Sequence, residues 1–487
     1  MSAAHPGLPA LSHPLVRAFL DSRADLEHAV TRFGAPLHLL FPQVYARNLA
    51  RLRAVARSRA VAHRICYAHK VNRSTAFVRT AERAGIGIDV ASPWELSHAE
   101  RAGFDPTRIE VTGPKGEPFL RRLVGHGATI NVDNLWELGR LIELAADGSR
   151  VPVLLRVADF PGAPASRFGI ALAQADRAFS LLSEHHDRID LRGFAFHLDS
   201  GELAERVRAV EACLDLVERA YGHGHAPSVL NIGGGFRQVF TADAGRFDGY
   251  VRALRASLLG RGQSMSWGAN TFGYHVDGGA VHGVPVFHKY ANTVSAADML
   301  DGLLTAPLER HGGRTVAEVA GDNLLTLWLE PGKALVDHAG ITVAAVMFTK
   351  ELTDDTVLVT VDLSRDAVTP ADQEVMVDPL LLPGPAAPPE RAEPIGVYLA
   401  GRLCLERDMI ANHKVWLPWR PRPGDLLVFP NTAAYHTDLS AASASMHPAP
   451  VKAAVTRDDD GFHIVADHEL VPDDCILDEV GDGVEAR

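Results

Sequence analysis

From about residue 64 onward, short apolar or β-branched runs alternate with longer segments of helical period, and this alternation restricts the fold more than any other feature of the chain. Eight runs read as strands: Ile65 to Ala68, Ile88 to Val90, Glu110 to Thr112, Thr129 to Val132, Val153 to Val157, Gly193 to Phe196, Val229 to Ile232, and Thr326 to Leu329. Most intervals hold one helix. In Leu203 to Tyr221, for example, Leu203, Val207, Val210, Leu214, Val217 and Tyr221 fall on one face before Gly222 ends the segment. Repeated βα units of this kind predict an α/β fold, a closed (β/α)8 TIM barrel.

The interval between the seventh and eighth strands is too long for one helix, and from about Gly262 to Asn323 it is rich in Gly, His and Asn, which predicts an insertion over the barrel mouth. After Glu330 the pattern changes. Ile341 to Phe348, Thr356 to Val361, Ile395 to Leu399 and Leu426 to Phe429 read as strands of a second, β-rich and barrel-like domain. The expected organisation is an N-terminal extension (1–34), the barrel (35–330, with the insertion at about 262–323), and a C-terminal β domain (331–487). A strand-like piece at Leu37 to Phe41 is a candidate to pair with the β domain. The proline-rich stretch from Pro379 to Pro394 lacks ladder donors at many positions and reads as an exposed loop.

At 487 residues, one large domain plus a smaller one is the natural division. The formal charge of −12 argues against nucleic-acid or anionic-membrane binding, since both need a concentrated cationic face. Cys66, Cys213, Cys404 and Cys475 lie far apart with no CxxC pair, which suggests neither a zinc site nor a disulfide framework. Cys213 sits on the flank of an amphipathic helix and reads as packing. His275, His282 and His288 match no common ligand spacing, so no metal is expected. The N-terminus has no signal-peptide pattern and no run is long and apolar enough to span a membrane, so a cytoplasmic location is expected.

Barrel enzymes carry their reactive groups at the C-terminal ends of the strands. Lys70, in Tyr67-Ala68-His69-Lys70-Val71-Asn72, stands just past the first strand, where burial would make its neutral amine accessible for imine chemistry. Alone, it would read as a solvated loop lysine. Other polar or glycine-rich signatures recur at the ends of later strands. Asp89 ends the second. His197 follows the sixth and points inward by strand alternation, either to stack on a ring or to sit as a core histidine. Gly233, Gly234 and Gly235 follow the seventh, where barrels commonly hold a phosphate, although a tight turn is the plainer reading. Glu330 ends the eighth, where a carboxylate can hold a pyridine nitrogen protonated or can simply close a strand. Together these positions read as a site for pyridoxal 5'-phosphate. Ser92-Pro93-Trp94-Glu95 is accounted for as a capping box.

From about residue 35 to 465 the chain resembles the fold-type III pyridoxal phosphate decarboxylases, the family of diaminopimelate, ornithine and arginine decarboxylases. The motifs occur in order: YAHKVN, DVASPWEL, SRFGI, FHLDSG, NIGGGF, LEPGK, GRLCLERD and GDLLVFPNTAAY. The resemblance implies that Lys70 is the Schiff-base lysine, that His197 stacks on the ring, and that Glu330 pairs with the pyridine nitrogen. Ser200, Gly233, Gly234, Gly235 and Tyr435 would bind phosphate, with Asp89, Arg156 and Gly332 near the cofactor. It also implies a head-to-tail homodimer with shared sites, in which Cys404 donates the proton at Cα.

The departures bear on the substrate. The family commonly has Gly-Pro-x-Cys followed by an acid that contacts a distal amine. Here Arg402 replaces the proline, Leu405 occupies the acid's place, and Glu406 comes one residue late. A leucine cannot neutralise an ammonium group. Asp199 stands where the family often has glycine, and Lys333 where it often has arginine. The expectation is therefore an amino-acid decarboxylase with a non-standard substrate, Arg402 and Glu406 facing that substrate. An amino-acid racemase or epimerase is the alternative reaction, and a catalytically silent homologue is the alternative without one.

Overall fold

The computed structural model describes residues 5–145, 150–162, 165–368, 375–384, 392–438, 444–473 and 476. The chain divides into two compact units, each assembled from three stretches: Met1–Tyr45, Gln238–Ser295 and Val336–Leu470 form one, and Ala46–Arg237, Ala296–Leu335 and Val471–Arg487 the other.

The second of these is the barrel. Its strands are His63–Ala68, Gly87–Val90, Ile109–Val111, Thr129–Val132, Val151–Ala158, Ile189–Ala195, Val229–Asn231 and Thr326–Leu329. All eight expected strands are present, paired in parallel around a closed ring. The eighth strand pairs with both the seventh and the first, and the fifth pairs with both the fourth and the sixth. Closure leaves no free edge for these strands. The sixth and seventh strands approach so closely at Gly193 that a Cβ there would stand 1.8 Å from the Val229 carbonyl oxygen. Cys66, Leu154, Ala195, Val229 and Trp328 pack together from five of the strands.

Helix Leu203–Gly222 follows the sixth strand as expected, but its buried face is rotated from the expected one. Arg206, Ala209, Val210, Cys213, Leu214, Leu216, Val217 and Ala220 are buried, while Leu203 and Tyr221 are exposed. The apolar periodicity was broken by the buried Arg206, whose partners lie in the loops after the sixth and seventh strands. Phe194 packs against Phe179 of the helix layer, the outward position expected for it, and Phe196, just past the strand, packs against Phe160.

In the other unit, one sheet runs through Met409–Leu417, Ile395–Ala400, Val357–Val361, Gly340–Glu351, Leu37–Leu40, Val451–Asp458 and Gly461–Ala466. Leu426–Phe429 pairs with both Gly340–Glu351 and Leu380–Leu382. Leu37–Leu40 lies between Gly340–Val343, antiparallel, and Val451–Ala454, parallel, so the early strand does belong to the β sheet. Val346, Val359, Val361, Val397, Leu399, Val415 and Leu427 lead its core.

The unit boundaries differ from those read from sequence. Residues 1–45 cluster with the β sheet and are not a separate extension. The long interval before the eighth strand is split: Phe247, Tyr250, Leu254, Phe272, Phe287 and Tyr290 share a core with Leu8, Val375 and Met376, whereas helices Ala296–Leu304 and Val316–Asp322 return to the barrel unit. These six aromatic or aliphatic side chains, with no partner in a barrel repeat, were the signal for that second core. The proline-rich stretch is also not wholly loop. Leu380–Leu382 is a strand ending at Pro383, because the first prolines flank the run and do not interrupt it. Residues 385–391 of that stretch, and Cys475, lie outside the described residues. His275 and His282 are an exposed cross-strand pair, and no cluster of three or more metal-ligating side chains occurs among the described residues. No helix among them is long and apolar enough to cross a membrane.

His436 is 4% exposed, its Nδ1 has no hydrogen-bond partner among the described residues, and burial lowers its pKa to about 4. A histidine held neutral in the fold takes up a proton on unfolding once the pH falls below its unfolded value of about 6.5. Its contribution to stability is therefore complete above that pH and is lost as the pH falls toward 4. His436→Met is expected to flatten the dependence of unfolding free energy on pH by about 1.4 kcal/mol per pH unit between pH 6 and 4.5. Denaturant unfolding of both proteins across that range checks it, and parallel curves would contradict it.

Candidate active site

The turn that carries Lys70 is locked from both sides. The first strand ends at Ala68, and His69–Val71 form a single tight turn. The Tyr67 hydroxyl donates to the Asn72 carbonyl at 2.7 Å, Asn72 Oδ1 accepts from the Ser74 N–H at 2.9 Å, and Ser74 caps helix Thr75–Arg83. Behind the turn, His69 is buried, with its Nε2 at 2.8 Å from His98 Nδ1 and its Nδ1 at 3.4 Å from Glu95. Glu95 also accepts from the Ala91 N–H at 2.6 Å, so the expected capping box at Ser92 is only half made. Glu95 serves the turn bearing Lys70 as well as its own helix.

Asp89 ends the second strand at 1% exposure, and neither of its carboxylate oxygens has a hydrogen-bond partner among the described residues. Burial raises its pKa well above the usual carboxylate range, with the Glu330 charge adding to the effect and Lys70 and Arg156 opposing it. Arg156, on the fifth strand, lies over the Phe168 ring and 3.8 Å from Asp133. Glu330 ends the eighth strand at 5% exposure and accepts from Asn231 Nδ2 at 2.7 Å.

His197 Nδ1 accepts from the Gly234 N–H at 3.2 Å, which leaves the ring proton on Nε2. Burial, with Lys70 and Arg156 nearby, lowers its pKa to about 3, so the ring is neutral at physiological pH. The three glycines after the seventh strand are packed against backbone on every side. A Cβ would stand 2.3 Å from the Phe196 oxygen at Gly233, 2.5 Å from the Glu330 oxygen at Gly234, and 1.9 Å from the Leu198 oxygen at Gly235. Beneath them is Arg206, fully buried, which donates to the carbonyls of Ile232, Leu198 and Gly234 and has no carboxylate ion-pair partner among the described residues. A buried guanidinium paired only with carbonyls leaves net positive charge under the glycine turn. Gly332 opens the short helix Gly332–Leu335, and its N–H returns to the Glu330 carbonyl at 2.8 Å.

The two barrel departures meet each other. Lys333 Nζ lies 2.6 Å from Asp199 Oδ1, so the residue in the place of glycine holds the residue in the place of arginine. Ser200 is exposed, and its hydroxyl accepts from the Glu202 N–H at 3.3 Å.

Arg402, Cys404, Glu406 and Tyr435 lie in the β unit. Cys404 and Glu406 are exposed, on a loop knit together by buried Asp408, which accepts from the N–H groups of Leu403 at 2.7 Å and Arg365 at 2.8 Å. Arg402 donates to the Pro448 carbonyl at 3.3 Å. Tyr435 takes the left-handed backbone conformation, φ +64°, and is half-buried between buried Ala434 and His436.

Sequence reading missed Glu110, Asn231, Arg206 and Asp408. Glu110 sits mid-strand between Ile109 and Val111, and Asn231 shares the inward parity that singled out His197, so strand parity at both positions carried the signal. Arg206 and Asp408 have backbone groups as partners, which a sequence does not display as donors or acceptors. Pyridoxal phosphate has a dianionic phosphate, a ring nitrogen that takes a proton, and an aldehyde. The glycine cradle over Arg206, the Glu330 carboxylate and the Lys70 amine suit these three parts in turn.

Comparison with known proteins agrees. Residues 46–264 match the family model described as pyridoxal-dependent decarboxylase, pyridoxal binding domain. The chain is 34% identical over 446 residues, 91% of each chain, to the uncharacterized protein y4yA of Sinorhizobium fredii. It is 27% identical over 483 residues, 93% of each, to the diaminopimelate decarboxylase of Bacillus subtilis. The crystal structure of the M. jannaschii diaminopimelate decarboxylase in complex with L-lysine superposes with a TM-score of 0.66 at 19% identity, covering 95% of both chains, which supports the shared fold. The chain belongs to the fold-type III pyridoxal phosphate-dependent decarboxylases, as a divergent member.

Proposed function

We propose that this protein decarboxylates an amino acid outside the lysine and ornithine type, acting as a homodimer. The observation that supports it most is the convergence of Lys70, Asp89, His197, the glycine turn and Glu330 at one end of a closed barrel. When bound, pyridoxal phosphate supplies an aldehyde for a lysine amine and a protonated ring that takes up electrons from a breaking bond at Cα. The chain's own residues do the rest. Lys70 presents its amine from a turn held by Tyr67, Asn72 and Ser74, near the buried Asp89 carboxyl, which has no hydrogen-bond partner among the described residues. His197 presents a neutral ring face, fixed by the Gly234 N–H. Gly233, Gly234 and Gly235 form a turn with no room for a Cβ against the Phe196, Glu330 and Leu198 carbonyls, and this turn over Arg206 is where a phosphate would be held. Glu330, already taking one N–H from Asn231, has a second oxygen to hold a ring proton. Cys404, as the proton donor to Cα, favours decarboxylation over racemisation, because a single exposed thiol is suited to one protonation on one face.

The substrate reading rests on Arg402 and Leu405. With arginine ahead of the cysteine and leucine after it, this loop recognises an anionic or apolar side chain in place of a distal ammonium group. Glu406 is directed at the amino or a polar group of that substrate.

Incubating purified holoprotein with a panel of amino acids while measuring both carbon dioxide and optical rotation tests the reading. The expected result is carbon dioxide release from an acidic or apolar amino acid and none from lysine or ornithine. Loss of rotation without gas would indicate the racemase, and silence across the panel the inactive homologue. A second prediction concerns the paired departures: Asp199→Asn removes a negative charge from the phosphate side of the site and releases Lys333. Cofactor titration followed by absorbance is expected to show about threefold tighter binding, the scale of an exposed ion pair. Unchanged or weaker affinity would contradict it.

A further inference from the structure

The third strand carries a carboxylate that the proposed chemistry does not use. Glu110, in Ile109–Val111, is fully buried and faces the barrel interior, where a valine or leucine would fill the space without any polar demand. Its Oε1 accepts two hydrogen bonds, from Asn231 Nδ2 at 2.7 Å and from Asn131 Nδ2 at 3.1 Å, while Oε2 has no partner among the described residues. The same Asn231 nitrogen donates its other hydrogen to Glu330 Oε1, also at 2.7 Å. One carboxamide therefore bridges two carboxyl groups, on the third and eighth strands.

The bridge has a definite orientation. Asn231 Oδ1 accepts from the Gly233 N–H at 2.8 Å, so turning the amide over would set its oxygen against two carboxyl oxygens and its NH2 against a backbone N–H. The backbone end would then set donor against donor, while at the other end only the protonated carboxyl could still donate. Asn231 thus links the glycine turn, Glu330 and Glu110 in one hydrogen-bonded unit whose far anchor is Glu110.

We infer that Glu110 is a positioning residue that, through the Asn231 carboxamide, fixes the orientation of the Glu330 carboxylate toward the cofactor ring. This rests on the pyridoxal reading of the site. Two carboxyl groups that share one donor in a closed interior cannot both carry charge, so one keeps its proton. Burial, reinforced by the Glu330 and Asp89 charges and opposed by Arg64, raises the Glu110 pKa well above the carboxylate range. Glu110 needs only to accept from Asn231, whichever of the two carboxyl groups keeps the proton. A neutral acceptor is all that the bridge requires, which makes glutamine an adequate replacement and leucine an inadequate one.

The experiment uses holoprotein and reads the cofactor dissociation constant and the pH midpoint of the bound cofactor's visible band, with thermal unfolding as a check on folding. Glu110→Gln is expected to keep both values at wild type, since its carbonyl oxygen still accepts from Asn231. Glu110→Leu leaves the amide unanchored and is expected to weaken cofactor affinity about tenfold and to move the band midpoint by about one pH unit, the scale of one lost hydrogen bond to a charged group. Glu110→Met removes the acceptor equally and serves if the leucine variant does not fold. In an Asn231→Ala background, where the bridge is already gone, Glu110→Leu is expected to add nothing. Wild-type affinity and midpoint in folded Glu110→Leu or Glu110→Met would overturn the role, and so would a Glu110→Gln variant as damaged as Glu110→Leu. Failure of the wild-type protein to bind the cofactor at all would overturn the pyridoxal reading itself, and the role with it.

Discussion

Closing eight parallel strands into a ring forces the side chains at one end of those strands into a small shared volume, and the charges in that volume must be reconciled with one another. Asp89, Glu110 and Glu330 arrive there from the second, third and eighth strands, with Lys70 and Arg156 from the turn after the first strand and from the fifth strand. In low dielectric, neighbouring carboxylates cannot all ionise, and a lysine beside them cannot be indifferent to which one does. The arrangement is therefore electrostatically coupled before any ligand enters. Asn231, which donates at 2.7 Å to both Glu110 and Glu330 and accepts from the Gly233 N–H, ties two of these carboxyl groups to the glycine turn.

Much of this was legible in the sequence because it lies in periodicity. The eight strands show as apolar runs spaced by helical segments, and the inward parity of His197 follows from the alternation of Phe194 and Phe196 outward. The glycines after the seventh strand show as a cluster because their crowding against Phe196, Leu198 and Glu330 leaves room for nothing larger. The strand Leu37–Leu40 was visible by the same reasoning, its apolar run matching a sheet whose other strands come hundreds of residues later.

What was not legible depends on contacts between distant segments. Leu8 shares a core with Phe247, Tyr250, Tyr290, Val375 and Met376, and although the aromatic residues stood out, nothing local shows which distant segments they pack against. Arg206 breaks an otherwise apolar helix face because its partners are carbonyls of Leu198, Ile232 and Gly234, which a sequence does not display as acceptors. Glu110 was read only as part of a strand: its parity was available, but its partners Asn131 and Asn231 lie on other strands and leave no local trace. Lys333 and Asp199 each stood out as departures, but their pairing at 2.6 Å joins the loops after the sixth and eighth strands and so depends on closure of the ring.

The account turns on whether the amine of Lys70 condenses with the aldehyde of the cofactor. Borohydride reduction of holoprotein, followed by proteolysis and mass spectrometry, decides this directly. A phosphopyridoxyl adduct on the peptide containing Lys70 is the predicted result, and an adduct on another lysine, or none at all, would contradict it.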